Sequence, residues 1–286
     1  MYFDDFDRAV AVTNSTTGNE DLTPGADGGD HANLSLAGFG ALANSLLTPQ
    51  DTWQLNDGNG AAVANDTATT DGASQILNPD ALTAPNAGKN PLTLSGGTSW
   101  TTDPSRGTVL TLDGTSGQAA APPIQVSSGT TSYPVIDTAS SYSVSAWVNM
   151  TNTTTYNTVI GESGTNADAF YLQYSKAYNA WTFIAPSSDS SSPTSWAHVS
   201  ASTAPALNTW THLVGTYSAA TNTMSLYVNG SLAGTTTNNN AWDATGDLYA
   251  GSAGGSNYFP GSLSDIQFYN YALTPNQVTA LYQQIQ

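Results

Sequence analysis

The chain has 286 residues, of which 39% are hydrophobic and seven are tryptophan, so it is long enough for one large domain or two small ones with a buried core. Its 21 acidic and four basic residues give a formal net charge of -17, which argues against nucleic acids and anionic membranes as partners. The absence of cysteine excludes disulfides, thiol nucleophiles and thiolate metal sites.

The first 49 residues differ in composition from the rest of the chain. They contain an acidic cluster at Asp4, Asp5 and Asp7, a short candidate strand in "RAVAVT" and the Gly- and Asp-rich stretch "TPGADGGD". Leu, Ala and Phe recur over residues 32–49, which predicts a weak helix, although glycines interrupt the pattern. We expect residues 1–49 to be an N-terminal extension or linker, the end of a preceding module, and residues 50–286 to form the main domain.

From residue 50 onward the sequence has the pattern of β-structure, with short runs rich in Val, Tyr, Thr and Trp separated by Gly, Asn, Ser and Pro. In "YSVSAWVNM" (142–150), Val144, Ala146 and Val148 fall on one face of the predicted strand. Asn229 and Gly230 predict a tight hairpin turn, because both central residues must tolerate positive φ. Further strands are predicted at "TVLTLD", "TVIGES", "FYLQYS", "AWTFIA", "HVSAST" and "LYAGS".

One helix is predicted at the C-terminus, with a recognisable start. Thr274 is at the N-cap, Pro275 is at the first helical position and Gln277 completes a capping box. The apolar face that this helix offers to a sheet consists of Val278, Leu281 and Tyr282. Many short strands with one terminal helix predict an all-β fold, a two-sheet antiparallel jelly-roll sandwich.

Several segments, in this order, resemble the laminin-G-like, concanavalin A-type jelly roll that occurs as an accessory module in bacterial extracellular proteins. They are "WQLNDGNG" (53–60), "ANDT" (64–67), "LTLDGTSGQ" (110–118), "YSVSAWVN" (142–149), "NTWTHLVGTYSAATNTMSLYVNGSLAG" (208–234) and "FPGSLSDIQFYNYALTPNQVTALY" (259–282). The last two segments are the most specific. The resemblance implies that the first and last strands of the domain are neighbours.

The resemblance also implies a structural calcium ion near that junction. The matching oxygen donors are Asp66 and Asp265, with Asn65, Asp113 or backbone carbonyls completing the shell. Calcium takes six to eight oxygen ligands, and an ion that joins the two chain ends would stabilise the closed sandwich. The alternative is that Asp265 is a solvated residue on the strand face opposite Ile266 and Phe268.

The number and spacing of the glutamates argue against glycosidase catalysis. Retaining glycosidases that share this sandwich fold typically carry an E-x-D-x-E pattern on one strand, with two carboxylates about 5–5.5 Å apart. The chain has only Glu20 and Glu162, and neither has a second acid two residues away. We interpret Glu162 as a polar residue at a strand end and His212 as a packed neutral imidazole, and we expect no catalytic residue.

Aromatic residues in polar loops are the candidate ligand-binding residues, since sugar C–H surfaces stack on aromatic faces and Asn, Asp and backbone groups bind hydroxyls. The candidates are Trp196, Trp242 and Tyr178, with Asp168 as a group that orients a sugar hydroxyl. The alternative is that these aromatics fold back and cap the edges of the sandwich. Trp147, Trp181 and Trp210 are predicted to lie in the core.

These observations favour a non-catalytic accessory module of an extracellular bacterial protein, carbohydrate-binding and calcium-stabilised. The alternatives are a purely structural or protein-interaction domain, and a glycoside hydrolase or polysaccharide lyase with an unrecognised site. The expected partner is a polysaccharide or glycoconjugate, and no nucleic acid is expected. Membrane insertion is not expected either, because no apolar run approaches the ~18 residues that span a bilayer. We expect the domain to be covalently part of a larger multidomain protein that is secreted or displayed at the cell surface, although the opening residues lack the pattern of a signal peptide.

Overall fold

β-Strands make up nearly all the regular structure in the computed structural model, which describes residues 2–3, 9–10, 47, 49–68, 90–125 and 132–284. The chain divides into two compact units, Met1–Leu42 and Ala43–Gln286. In the first unit, β1 (Tyr2–Phe3) pairs antiparallel with β2 (Ala9–Val10), which falls within the predicted strand "RAVAVT". The helix predicted over residues 32–49 lies almost wholly outside the described residues, and the boundary between residues 49 and 50 stays a prediction.

The second unit contains eighteen described strands and one helix. In chain order these are β3 (Asp51–Trp53), β4 (Val63–Ala64), β5 (Leu92–Ser95), β6 (Thr98–Asp103), β7 (Gly107–Asp113), β8 (Gln118–Ala121), β9 (Ile124–Gln125), β10 (Ser132–Tyr133), β11 (Tyr142–Met150), β12 (Asn157–Ser163), β13 (Asp168–Ser175), β14 (Ala180–Pro186), β15 (Trp196–Ser200), β16 (Thr211–Ser218), β17 (Thr223–Val228), β18 (Ser231–Thr237), β19 (Leu248–Ala250), β20 (Pro260–Tyr269) and the helix α1 (Pro275–Gln284).

Two eight-stranded antiparallel sheets form the body of this unit. The first sheet has the order β18-β17-β16-β11-β20-β7-β6, with β3 also paired to β20, and the second has the order β15-β14-β13-β12-β19-β8-β5-β4. One core lies between them, in which Val144, Ala146 and Val148 of the first sheet pack with residues such as Phe170 and Leu172 of the second. The predicted two-sheet sandwich is confirmed, and so is the pairing of its first and last strands, β3 and β20.

Local sequence chemistry explains several details of the strands. β11 covers the predicted residues 142–150, and the hairpin between β17 and β18 turns at Asn229 (φ 50°) and Gly230 (φ 75°). Both angles lie in the left-handed region that these two residue types tolerate best. The strand predicted in "HVSAST" begins earlier, at Trp196, and ends at Ser200.

The C-terminal helix has the predicted capping box. The backbone N–H of Thr274 donates to Gln277 Oε1 (2.9 Å), and the N–H of Gln277 donates to Thr274 Oγ1 (3.3 Å). Val278 and Leu281 pack on the outer face of the first sheet, against a cluster that includes Val214, Tyr227, Tyr269 and Leu273. No helix in the described part of the chain is long and apolar enough to cross a lipid bilayer.

The three tryptophans that were predicted to be core residues occupy different places. Trp181 lies in the core between the sheets. Trp147 is buried, but on the outer face of the first sheet, where its ring stacks on Tyr282 of α1 with centroids 5.6 Å apart. Trp210 is only partly buried and precedes β16, so its prediction as a core strand residue was wrong.

Candidate functional site

Asp265 lies at a β-bulge where strand β20 changes neighbours. On one edge β20 pairs with β7 along residues 260–263 and with β3 along residues 266–268, while on the other edge its register with β11 shifts between Ser145 and Trp147. Asp265 has φ 49°, a conformation that Asp adopts more readily than most residues. The bulge turns its carboxylate toward the cation of Arg106, whose Nη1 donates to Asp265 Oδ2 at 3.0 Å.

The Arg106 guanidinium is enclosed by aromatic rings as well as by this carboxylate. Its Cζ lies 3.6 Å from the ring centroid of Trp147 and 5.2 Å from that of Trp210, which are cation–π distances. His212 packs beside Trp147 with centroids 5.0 Å apart, and its Nε2 shares a hydrogen bond with Ser145 Oγ at 2.8 Å. Burial, with the charge of Arg106, lowers the pKa of His212 to about 3, so this imidazole is packed and neutral as expected.

The other three predicted calcium ligands have separate hydrogen-bond partners. Asp66 Oδ1 accepts from the backbone N–H of Thr52 (2.9 Å) and of Ala68 (3.0 Å). Asn65 Nδ2 donates to Asp57 Oδ1 (2.6 Å). Asp113 accepts from the hydroxyl of Thr115 and from the backbone of residues 115–117, and these hydrogen bonds hold the pKa of Asp113 well below its usual range.

This donor set does not fit a calcium ion that bridges Asp66 and Asp265. Asp265 Oδ2 already accepts from Arg106 and from the hydroxyl of Ser264 (2.7 Å), and a guanidinium 3.0 Å away would repel a second cation. Within the described residues, no three His, Asp or Glu side chains gather as a metal site would need. In the structure Asp265 is therefore the carboxylate of a partly buried ion pair and not a solvated acid, while a calcium ion bound by Asp265 stays a prediction that this geometry does not favour.

A polar pocket of about 430 Å³ opens on the outer face of the second sheet. On β13, Phe170 and Leu172 point into the core, so Tyr171 between them points outward. Tyr171 is paired across the sheet with Gly161 on β12, which is paired in turn with Tyr249 on β19. The floor thus consists of the two tyrosines, and the wall residues are Ser163, Gly164, Thr165, Asn166, Ala167, Ala253, Gly254, Ser256 and Asn257.

Asp168, one of the predicted ligand-binding residues, lines this pocket. Its side chain leans over Gly161, because a Cβ placed on that glycine would come within 2.9 Å of Asp168 Oδ2. Asp168 Oδ1 accepts from Ser163 Oγ (2.9 Å), whereas the buried Oδ2 has no hydrogen-bond partner among the described residues. Asp168 is 5% exposed, and burial raises its pKa to about 6.

The polar wall of the pocket is held in place from a neighbouring loop by Asp189. Its carboxylate accepts from the backbone N–H groups of Thr165 (2.7 Å), Asn166 (2.7 Å) and Ala167 (3.1 Å). These hydrogen bonds contribute to a lowered pKa of Asp189, although the little burial that it has acts in the opposite direction. The loop from 164 to 167 is therefore pinned to the loop from 187 to 195.

The three predicted loop aromatics differ in their exposure. Trp196 is 44% exposed and packs on Tyr171 with centroids 6.2 Å apart, which places it beside the pocket. Tyr178 is 48% exposed and stacks on His198, with centroids 4.7 Å apart and ring planes at 13°. Trp242 folds back: it is partly buried and its Nε1 donates to the carbonyl of Pro186 (3.0 Å), so it caps the sandwich and does not line the pocket.

Glu162 lies at a strand end as predicted, since it is the penultimate residue of β12, but its side chain faces the core. It is fully buried in β12, and both of its carboxylate oxygens accept from the backbone N–H of Ile136 at 3.0 Å. Burial raises its pKa well above the usual range despite these hydrogen bonds. Glu20, the other glutamate of the chain, lies outside the described residues.

Sequence reasoning missed Tyr171, Tyr249 and Asp189. The alternation in "FYLQYS" was a usable signal for Tyr171, because an aromatic between two core positions must point out of the sandwich. Nothing local identifies Asp189, since its partners lie 22 to 24 residues earlier in the chain.

The comparisons with known proteins agree with this architecture. A family model described as the concanavalin A-like lectin/glucanases superfamily, laminin-G type, matches residues 113–279, which is more than half of the chain. No curated protein matches the chain in sequence.

Several solved structures share the fold at low sequence identity. Domain 4 of AbnA, a GH43 extracellular arabinanase from Geobacillus stearothermophilus in complex with arabinotriose, aligns with a TM-score of 0.55 and 20% identity, covering 82% of this chain and 98% of that one. A Trypanosoma rangeli sialidase with the inhibitor DANA aligns at 0.54 and 16%, covering 81% of this chain and 32% of the sialidase. The binding domain of botulinum neurotoxin DC, in complex with rat synaptotagmin II, aligns at 0.55 and 11%, covering 84% of this chain and 52% of that one. This chain thus spans about a third of the sialidase and half of the neurotoxin chain.

Proposed function

Since the chain belongs to the laminin-G-like family of the concanavalin A-like lectin/glucanases superfamily, we propose that it is a non-catalytic, carbohydrate-binding module whose site is the pocket over Tyr171 and Tyr249. The observation that carries the proposal is Asp168, a buried carboxylate in the pocket lining whose Oδ2 has no partner among the described residues. An unsatisfied buried acceptor costs free energy that a donor from a bound ligand would recover. A sugar hydroxyl is such a donor.

The rest of the pocket lining supports the same class of ligand. Tyr171 and Tyr249 offer ring surface for sugar C–H groups, and Asn166, Asn257 and Ser256 offer amide and hydroxyl groups for the sugar oxygens. The hydroxyl of Tyr171 accepts from the backbone N–H of Asp168 (3.0 Å), which leaves its own hydrogen for an acceptor on the ligand. Burial, with the charge of Asp168, raises the pKa of Tyr171 to about 12, which keeps this hydrogen in place at neutral pH.

The position of Glu162 supports a binding role over a catalytic one. Retaining and inverting glycosidases both need two carboxylates that flank the scissile bond. Glu162 faces the core, on the opposite side of β12 from Gly161, and its oxygens are taken up by a backbone donor. As further parts of this proposal, we expect the module to act outside the cell as part of a larger protein.

Affinity electrophoresis tests the function directly. The protein is run through native gels that contain arabinan, xylan, galactomannan or hydroxyethylcellulose, arabinan being chosen because the arabinanase domain was solved with arabinotriose. We expect retardation by at least one polysaccharide, loss of that retardation in Asp168→Asn, and retention of it in Asp57→Asn, whose aspartate does not line the pocket.

Three results would contradict the proposal. Retardation that Asp168→Asn leaves unchanged would move the site elsewhere, and no retardation in any gel would favour the structural or protein-interaction alternative. Release of reducing sugar from a retarding polysaccharide would show that the module is catalytic.

A further inference from the structure

We propose that the site takes an extended, uncharged polysaccharide chain, which runs from the pocket across the outer face of the second sheet to the ring of Tyr178. This inference rests on the proposed glycan-binding function and adds to it the class of glycan and the path that it follows. Three features carry it: a continuous row of paired outward residues, exposed aromatic rings along that row, and the distribution of charge around them.

The outward residues are paired directly across five neighbouring strands. Tyr249 on β19 is paired with Gly161 on β12, Gly161 with Tyr171 on β13, Tyr171 with Ile184 on β14, and Ile184 with His198 on β15. Four strand spacings separate the first member from the last, a distance of about 19 Å. The pocket covers the row from Tyr249 to Tyr171, and the outward face continues beyond it at Ile184 and His198.

Aromatic rings accompany the row over its whole length, and we call them the aromatic strip: Tyr249, Tyr171, Trp196, His198 and Tyr178. Trp196 lies two residues before His198 on β15, on the same face of that strand, and packs on Tyr171. Tyr178 comes from the turn between β13 and β14 and stacks on His198. Trp196 and Tyr178 belong to the small set of large apolar residues that are exposed in the described part of the chain, and such a grouping marks an interaction surface.

The charges around the strip favour an uncharged ligand. No lysine or arginine lines the pocket, while Asp168 lies within it and Asp189 and Asp247 lie in the adjoining loops. Lys176 is in the turn that carries Tyr178, at the far end of the strip. A uronate or sulfate in the pocket would meet carboxylates at short range, on a protein whose net charge is -17. Neutral hydroxyls instead supply the donors that Asp168 lacks.

A single sugar would use the pocket and leave the remaining rings unused. A linear chain whose first unit lies between Tyr171 and Tyr249 continues over Trp196 and reaches Tyr178. Each unit that stacks on an exposed ring adds affinity, so binding should strengthen with the length of the oligosaccharide until the strip is filled.

The test combines chain length, charge and two matched tyrosine variants. Isothermal titration is performed with the trisaccharide and with longer fragments of the neutral polysaccharide that retards the protein most, and polygalacturonate and alginate gels are added to the electrophoresis panel. Tyr178→Ala removes the far end of the strip. Tyr156→Ala is the control, because Tyr156 is 39% exposed but belongs neither to the pocket lining nor to the aromatic strip. Circular dichroism verifies that both variants are folded.

We expect the longer fragments to bind at least tenfold more tightly than the trisaccharide, with no retardation by the two anionic polysaccharides. Tyr178→Ala should weaken binding of long fragments by roughly five- to tenfold and leave the trisaccharide unaffected, while Tyr156→Ala changes neither. Equal affinity for short and long fragments, or an unchanged Tyr178→Ala, would overturn the extended path but not the glycan-binding function. Retardation by polygalacturonate equal to that by neutral polymers would overturn the charge preference. No binding to any polymer would remove the function and this inference together.

Discussion

Arg106 is a buried cation that is paired with the carboxylate of Asp265, lies within the field of Asp103 and is enclosed by indole rings. The exposed fraction is 8% for the side chain of Arg106 and 24% for that of Asp265. Removal of one partner from a buried pair leaves the other charge uncompensated, which commonly costs ~3–5 kcal/mol, and the partial exposure of Asp265 reduces this cost. Burial raises the pKa of Asp265 in spite of Arg106, so we expect Asp265→Asn to lower the free energy of unfolding by only about 1 kcal/mol. Asn also tolerates the positive φ at this position. Urea denaturation measures the change.

The same variant separates an ion pair from a calcium site. If Arg106 is the partner of Asp265, the loss in Asp265→Asn is equal in excess EDTA and in millimolar calcium, because no ion takes part. In the double variant with Arg106→Leu, the loss should be smaller than the sum of the two single losses. A destabilisation that is seen only with calcium present would instead place an ion at Asp265.

Asp168 should make the stability of the protein fall as the pH rises. Its pKa is about 6 in the folded state, whereas an unfolded aspartate titrates at about 3.9. Between these values the folded protein holds a proton that the unfolded chain has released, so stability declines from pH 4 to pH 6 and is then constant with respect to this group. Asp168→Asn lacks this loss. Its free energy of unfolding, compared with that of the natural protein, should therefore become about 2 kcal/mol more favourable as the pH is raised from 4 to 7.5.

The measurement for Asp168 is the urea midpoint of both proteins at the two pH values. Asp57→Asn, which also removes one acidic group, serves as the control and should follow the natural protein. A stability difference between Asp168→Asn and the natural protein that does not change with pH would contradict the cause assigned to the raised pKa. The expected result means that the binding residue costs stability, as is common at functional sites.

The helix and the strands could be predicted from sequence because their signals are local. Thr274, Pro275 and Gln277 identify the start of α1, and the alternation of Val144 and Val148 identifies a face of β11. The partner of Asp265 could not be found in this way, since Arg106 lies 159 residues away and the bulge that aims the carboxylate depends on which strands flank β20. The same holds for the pocket, which three strands and two loops form together.

The loop that carries Asp189 holds one wall of the pocket in place. Three backbone N–H groups of residues 165–167 donate to this one carboxylate, and these residues form the polar wall. We expect Asp189→Ala to increase the hydrogen exchange of these three amides by tenfold or more and to weaken glycan binding several-fold. Because Asp189 makes these contacts at the protein surface, the midpoint of global unfolding should shift little.

Ser190→Ala in the same loop is the matched control, and it should leave both exchange and binding unchanged. Asp189→Ala that weakens binding while the exchange of residues 165–167 stays the same would mean that Asp189 acts on the ligand itself. Unfolding of the whole domain by this substitution would contradict the local role.

The two outer faces of the sandwich differ, and this difference decides where a ligand has access. The helix α1 covers part of the first sheet, with Val278 and Leu281 against its outer face and Tyr282 on Trp147. The aromatic strip and the pocket both lie on the outer face of the second sheet. Arg106, between β6 and β7, and Asp265 on β20 form their ion pair within the first sheet, whereas the second sheet has its exposed aromatic side chains on the outer face.

The net charge of the whole molecule should affect folding and binding differently. Self-repulsion at a net charge of -17 destabilises the folded state. Salt weakens this repulsion, because the Debye length falls from about 30 Å at 0.01 M to about 8 Å at 0.15 M. We expect the thermal midpoint to rise by a few degrees over this range, as followed by circular dichroism. The affinity for a neutral oligosaccharide should stay constant, because no charge is neutralised on binding. An affinity that falls steeply with salt would mean that a charged group of the ligand pairs with the protein, and the aromatic strip would then not be the main determinant of recognition.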